Sequence, residues 1–301
     1  MTTSGHETNL NWTPGESEGV MIGEAQQSGP TVCVIGGIHG DERAGIEIVR
    51  SLPNYLRLER GRVIAILGNL QAIAAGQRPV DTNLNRAFVS VDSKHRIADP
   101  APPSYESNRA QELMPYIDAS KAILDLHEYE DPDGTPFIIC ERDSLGIAQS
   151  IGPAAIAFGF TRVEPGATDG YAHRRGIQAL CYELGEQSGR HQDENVRLGR
   201  RAVHRFLAAM GLADTGLQPL NPKPLLVEAD FKHIRTSEQH FEFARKFRSF
   251  EELTPGELIA TDGDKEVRAP ELDVPQVILF PKPKAPAVGR EAFEIAKVVV
   301  A

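Results

Sequence analysis

Three residues of this chain could hold a metal ion and leave room for chemistry beside it. His39 and Glu42 stand in Gly36-Gly37-Ile38-His39-Gly40-Asp41-Glu42, and His127 ends Ala122-Ile123-Leu124-Asp125-Leu126-His127. Two neutral imidazoles and a carboxylate form a common set for catalytic zinc, with a fourth position left open for water. A cation held this way lowers the pKa of bound water to roughly 7 and so makes a nucleophile at neutral pH. If the three converge, the protein is a metal hydrolase.

The spacing H-x-x-E occurs three times, as His39–Glu42, His127–Glu130 and His191–Glu194. At least two of these must be ordinary surface or turn pairs, and context separates them. His39–Glu42 follows a buried-strand run, Thr31 to Ile35, and a Gly-Gly pair. It opens a helical pattern with Ile46, Val49 and Leu52 on one side. Residues i and i+3 at a helix start share a face, so both could reach one ion, and a glutamate in a first helical turn suits the helix dipole. His127–Glu130 runs into Asp131-Pro132-Asp133-Gly134, a turn signal. His191–Glu194 lies in the polar stretch from Gly189 to Arg197 and reads as a solvated face.

Four further features carry charge where it could act on a substrate. Asp81-Thr82-Asn83-Leu84-Asn85-Arg86 sets an amide beside a guanidinium, a planar fork suited to bidentate capture of a carboxylate. A surface arginine in a polar loop is the commoner reading of such a segment. Arg78, in Gly76-Gln77-Arg78-Pro79, could stabilise an oxyanion and is equally weak taken alone. Glu183 ends the apolar run Ala179 to Tyr182. It is either an exposed strand end or a general base that later returns the proton to a leaving nitrogen. In Tyr171-Ala172-His173-Arg174-Arg175, two adjacent cations precede a strand. They either read an acidic substrate group or are solvated.

Elements of a particular kind must position these residues. Apolar, β-branched runs recur at Thr31–Ile35, Val63–Leu67, Ala122–Leu126, Phe137–Cys140 and Ile177–Tyr182. Helix-like stretches at Asp41–Leu52, Ser107–Tyr116 and Asn195–Met210 separate them. Strand–helix alternation with fully apolar strands argues an α/β fold with a mainly parallel sheet flanked by helices. Ligands bind such sheets beyond the C-terminal strand ends. His39, His127 and Glu183 each fall at or just past the end of a strand run, so the topology itself predicts that they meet. After Met210 the texture changes. Gly211 to Pro224 reads as a linker, and short strand-like pieces such as Gly256–Ala260 and Val277–Pro281 follow. The expected organisation is a polar N-terminal segment over residues 1–29, a catalytic domain over 30–215 and a small β-rich C-terminal domain over 225–301.

Composition narrows the partners. A net charge of −10 disfavours non-specific nucleic-acid binding, and the basic, aromatic stretch from Phe231 to Phe247 reads as a packed amphipathic segment. No run reaches the ~18 apolar residues of a membrane span, and the polar start is not expected to be a secretory signal. Cys33, Cys140 and Cys181 each sit in an apolar run. An odd count inside strand patterns suggests buried free thiols and a reducing, cytoplasmic setting. The sequence leaves a homo-oligomer open.

Taken together, Gly-Gly-Ile-His39-Gly-Asp-Glu42, Arg78 with Asn85-Arg86, Asp-Leu-His127 and Tyr-Glu183-Leu-Gly resemble the succinylglutamate desuccinylase/aspartoacylase family, relatives of the zinc carboxypeptidases. The tail from Val277 through Phe293 is similar to the second domain of the desuccinylase branch. The resemblance spans about residues 30 to 299. It implies a carboxypeptidase-like α/β fold, one zinc per chain, and hydrolysis of the amide joining an acyl group to an amino acid or similar small carboxylate. By resemblance His39, Glu42 and His127 are the zinc ligands and Glu183 the general base and acid. Arg78 polarises the scissile carbonyl or holds the oxyanion, while Asn85 and Arg86 grip a substrate carboxylate. The family's further arginine corresponds to His173, Arg174 or Arg175. Two departures stand out. Asn83 occupies the place of the family's usual aspartate, a residue expected to support a zinc histidine. No tyrosine follows Tyr182, so the C-terminal region cannot supply the substrate-contacting tyrosine of aspartoacylases, and acetylaspartate is a doubtful substrate. The competing readings are a zinc carboxypeptidase of short peptides and a metal-binding but inactive homologue.

Overall fold

The computed structural model describes residues 10–89, 103–131, 134–187, 189–214 and 223–299. Residues 1–9, the turn dipeptide 132–133 and the linker reading over 215–222 lie outside the described residues. The expected α/β architecture is present. A mixed sheet of twelve strands carries helices on its faces, and a β-rich region is built from the C-terminal part of the chain.

Four parallel strands form the centre. In spatial order they are β4 (Arg60–Leu67), β3 (Gln27–Gly36), β5 (Ala122–Tyr129) and β8 (Gln178–Glu186). Both faces of this centre are covered, which is why its strands read as continuous apolar runs. On one face, Val32, Val34, Leu124 and Leu126 pack beneath helices α1 (Arg43–Tyr55), α4 (Leu145–Ile151) and α7 (Gln192–Ala209). On the other, Cys33, Ile35, Ile123 and Ala179 pack beneath α3 (Tyr105–Asp118) and α6 (Thr168–Arg174). The short helices α2 (Leu70–Ala75) and α5 (Phe160–Val163) complete the set. Glycine permits one close approach that matters for the site. A Cβ on Gly36 would lie 2.3 Å from the carbonyl oxygen of Gly45, and one on Gly45 would lie 2.7 Å from that of Leu126. The start of α1 therefore rests directly on the ends of β3 and β5.

The sheet extends on both sides. Residues expected to be a plain polar segment instead form a hairpin, β1 (Asn11–Pro14) and β2 (Val20–Glu24), which adds antiparallel to β4. Only Val20, Met21 and Ile22 of the five residues of β2 are apolar, too short a run to stand out in a polar stretch. On the far side come β6 (Phe137–Cys140), antiparallel to β8, and β7 (Ala155–Phe158). β9 (Leu225–Ile234) then pairs parallel with β7, so the C-terminal region continues the same sheet. β15 (Glu291–Val298), β14 (Gln276–Leu279) and the two-residue β11 (Glu252–Leu253) follow in order. A separate three-stranded sheet, β10 (Phe241–Phe243), β12 (Leu258–Asp262) and β13 (Lys265–Arg268), packs Phe241, Phe247, Ile259 and Phe293 into its own core. The aromatic residues at 241 and 247 of the basic stretch are thus buried. The three cysteines are buried and free, and among the described residues no helix is long and apolar enough to cross a membrane.

Candidate active site

Adjacent strand ends bring the site together. His127 lies in the last turn of β5, and Glu183 pairs with it directly in register on β8. Past Glu183 the register shifts: Tyr129 pairs with Glu186, so β8 carries one extra residue there, with Gly185 at φ +129°. A bulge of this kind re-aims the side chain next to it. His39 follows β3 in the turn that leads into α1.

Glu42 is not in the first helical turn, as its spacing suggested. It is the residue preceding α1, with extended backbone (φ −88°, ψ 92°), and its side chain makes no cap bond. The carboxylate turns to the imidazoles instead. Oε1 lies 2.6 Å from His39 Nδ1, and Oε2 lies 3.0 Å from His127 Nδ1. Glu128 does the capping: its Oε2 accepts from the Ala44 amide at 2.8 Å, and its Oε1 accepts from Asn195 Nδ2 at 2.7 Å. A glutamate from a neighbouring strand thus satisfies the helix start and leaves Glu42 free for the site.

Both histidines are held from behind. His39 Nε2 lies 3.0 Å from Asn83 Oδ1, and His127 Nε2 lies 3.0 Å from Asp125 Oδ2. The two acceptors belong to one network. Asn83 Oδ1 also accepts from the Asn85 amide at 2.9 Å. Asn85 Oδ1 accepts from the Thr168 amide at 3.1 Å, and the Thr168 hydroxyl donates to Asp125 Oδ2 at 2.6 Å. With both Nε2 atoms so placed, both Nδ1 atoms point to one centre. Donor atoms of His39, Glu42 and His127 lie within 4.8 Å of one another, and all three residues are buried. This fits a cation that takes two nitrogens and an oxygen, with outer partners orienting the rings.

Electrostatics favour a neutral His39 and an ionised Glu42, while His127 would release a proton on taking a cation. Burial, then the Arg78 cation, lower His39 to about 4, so its ring is neutral. Burial would raise Glu42, but His39 and His127 hold it well below the usual carboxylate range. Burial works against a charge on His127, yet Asp125, Cys181 and Glu42 keep it well above an ordinary imidazole. Burial pushes Glu183 up to about 7 against the pull of His127. Among the described residues its Oε2 has no hydrogen-bond partner, and Oε1 has only the Cys181 thiol at 3.9 Å. A buried carboxylate with a free oxygen and a pKa near neutrality suits proton transfer.

A cavity of about 790 Å³, counting its solvent-filled mouth, opens on this centre. His39, Glu42, His127, Glu183, Arg78, Asn85 and Arg86 all line it. Arg78 Nη1 donates to Glu42 Oε1 at 2.8 Å, with its side chain 41% exposed. Arg86 is more constrained: Nη1 donates to its neighbour's carbonyl, and Nη2 is engaged by Glu164 and Glu291.

Arg174 and Arg175 are not among the residues that line this cavity. α6 delivers them to the beginning of β8, whereas Glu183 stands near its end. Arg175 Nε lies 3.1 Å from Asp118 Oδ1 and its guanidinium stacks on Tyr171, 4.7 Å from the ring centroid. His173 faces Asp143 at 3.1 Å. None of the three lines the cavity. His191–Glu194 is an exposed pair 3.9 Å apart, as expected of a solvated face.

Asp125, Glu128, Thr168, Glu164 and the C-terminal Lys282, Glu291 and Glu294 were not singled out from sequence. Asp125 carried a signal: a carboxylate inside an apolar strand, two positions before His127 and so on the same face. The others depend on contacts across the fold.

The succinylglutamate desuccinylase/aspartoacylase catalytic domain matches residues 28–210 of this chain. A succinylglutamate desuccinylase of Shewanella sp. (strain MR-7) is 26% identical over 306 residues, covering 90% of this chain and 84% of that protein. An N-alpha-acetyl-L-2,4-diaminobutyric acid deacetylase of Halomonas elongata is 29% identical over 210 residues, covering 63% and 57%. In fold, the crystal structure of succinylglutamate desuccinylase from Vibrio cholerae superposes with a TM-score of 0.73 at 21% identity, over 95% of this chain and 90% of that one.

Proposed function

This chain belongs to the succinylglutamate desuccinylase/aspartoacylase family, and from that premise we propose that it is a zinc-dependent hydrolase of the amide bond in an N-acyl amino acid or similar small carboxylate. The observation that carries the reading is the pairing of a buried His–Glu–His set with an unpartnered, buried Glu183 on the adjacent strand. Zinc held by His39, Glu42 and His127 would supply a water acidified to roughly pKa 7 and an electrophile for the carbonyl.

The chain's own residues do the rest. Glu183 takes the proton of the attacking water and passes it to the departing nitrogen, so the amine leaves neutral. Arg78, close to Glu42 and partly exposed to the cavity, stands where it can meet charge growing on the carbonyl oxygen. Asn85 and Arg86 are the proposed neighbours of a substrate carboxylate. Arg86 reaches it only by sharing a guanidinium that already serves Glu164 and Glu291.

The test is a panel of N-acyl amino acids given to the purified protein with and without a chelator. Named relatives act on substrates as different as succinylglutamate and acetylated diaminobutyrate, so the panel spans acidic, neutral and basic side chains. Turnover of at least one compound, lost on chelation and restored by zinc, is the expected result. Hydrolysis indifferent to the chelator would overturn it. Faster cleavage of short peptides would transfer the site to a carboxypeptidase, and no turnover with zinc bound would leave an inactive homologue.

Asn83 yields a second test. A charged acceptor behind a metal-bound histidine raises its basicity more than an amide does. With an amide 3.0 Å from His39 Nε2, zinc should bind less tightly here than with a carboxylate in that place. Asn83→Asp is expected to tighten zinc by roughly 10–100-fold in competition with a chromophoric chelator. An unchanged affinity with the fold intact would remove Asn83 from any role at the metal.

A further inference from the structure

Accepting the deacylase reading, we propose that the cavity holds a cationic group of the substrate against Glu294, so that the preferred compounds are N-acyl diamino acids or other N-acyl compounds bearing an ammonium. The argument is a charge count on one wall. Glu291 and Glu294 come from β15, Glu164 from the segment between α5 and α6, and all three line the same cavity as Glu183. One oxygen from each lies within 4.8 Å of the others.

Two cations stand among these three carboxylates; both attract Glu294 from a distance, but their direct ion pairs are with Glu164 and Glu291. Arg86 Nη2 engages Glu164 and lies 3.1 Å from Glu291 Oε1. Lys232 pairs opposite Glu294 in the strand register, yet its ammonium bonds Glu164 and lies 3.6 Å from Glu291. Lys282, the next cation on the wall, is 3.5 Å from Glu130. Glu294 is left 3% exposed with Oε2 unpartnered. A buried carboxylate without a partner is costly, and it is relieved by a proton or by a cation. Burial, then the charge on Glu291, push its carboxyl up to about 8 against the pull of Lys232, Arg86 and Lys282. An ammonium beside it would favour the ionised form and complete the pairing.

The same count disfavours a second acid on the substrate. A carboxylate side chain would meet Glu294, an arginine already shared by two other glutamates and a lysine already beside Glu130. Glu294 therefore sorts substrates by charge at a point separate from the hydrolytic centre.

The zinc-loaded protein is titrated calorimetrically with 2,4-diaminobutyrate, ornithine and lysine, and with glutamate and norvaline as acidic and neutral counterparts. Values of kcat/KM are measured in parallel for their N-acetyl derivatives. At least one diamino acid is expected to bind roughly tenfold or more tightly than glutamate, the size of a charge-assisted hydrogen bond. Glu294→Gln, which keeps the side chain's shape, should erase that preference and leave zinc content unchanged. Equal or tighter binding of glutamate by the wild-type protein overturns the proposal, whatever the variant does. So does a preference that survives in Glu294→Gln, the absence of diamino acid binding, or a second zinc equivalent that vanishes with the substitution. Charge preference without hydrolysis of any compound in the N-acyl panel would leave the cation site standing and the deacylase reading refuted. Hydrolysis without a Glu294-dependent preference would do the reverse.

Discussion

Glu183→Gln is expected to keep its zinc and lose hydrolysis by roughly 10²–10⁴-fold, the range for a placed general base. The substitution preserves shape and removes only the capacity to carry a proton. Glu183 makes few contacts to lose: one oxygen has no partner and the other a thiol at 3.9 Å. Folding should therefore be little affected, and relieving a buried carboxylate could raise the melting temperature. The informative readout is kcat with KM and zinc content nearly unchanged. A drop of less than about tenfold on a good substrate would assign Glu183 to structure and move attention to Glu186, also buried with a free oxygen.

A larger effect is expected of His127→Ala, where metal and activity should disappear together. His127 contributes one of two imidazoles and contacts both Glu42 Oε2 and Asp125 Oδ2. Its loss leaves Asp125 with the Thr168 hydroxyl and Glu42 with His39, Arg78 and the Glu128 amide. The fold should survive, weakened by the unpaired charges. Two measurements independent of turnover decide: bound zinc by metal analysis, and zinc-induced stabilisation against heat. A ligand at 100 times its Kd stabilises by about 2.7 kcal/mol, which the wild-type chain should show and the variant should not. Full occupancy in His127→Ala would refute the ligand assignment, as would metal loss in His191→Ala.

Much of this site was legible because parallel sheets gather chemistry at one edge. His39, His127 and Glu183 ended apolar runs, and β3, β5 and β8 turned out to be neighbours. The route was less legible than the destination. Helical spacing suggested that His39 and Glu42 share a helix face, but the chain holds both in the turn before α1 and caps that helix with Glu128. No local pattern reveals that exchange, since Glu128 arrives from another strand. Arg174 and Arg175 misled for a related reason. Two cations before a strand look close to the glutamate that ends it, yet a nine-residue strand separates the ends of the sheet. Glu291 and Glu294 gave no signal at all. Glu-Ala-Phe-Glu reads as an ordinary strand start, and its meaning depends on β15 lying beside β9.

The ends of the large sheet bear on how copies of the molecule could meet. A sheet this wide has two open margins, each a template for strand addition by another chain. Here both are blunted. One margin is β1, four residues ending in Pro14, which cannot donate to a ladder; the other is β11, two residues long. Among the described residues neither offers the long, flat run of free amides that continuous cross-molecule pairing requires. Among the described residues, strand addition at the two margins of the large sheet is therefore disfavoured, and edge-to-edge polymerisation through that sheet should be resisted.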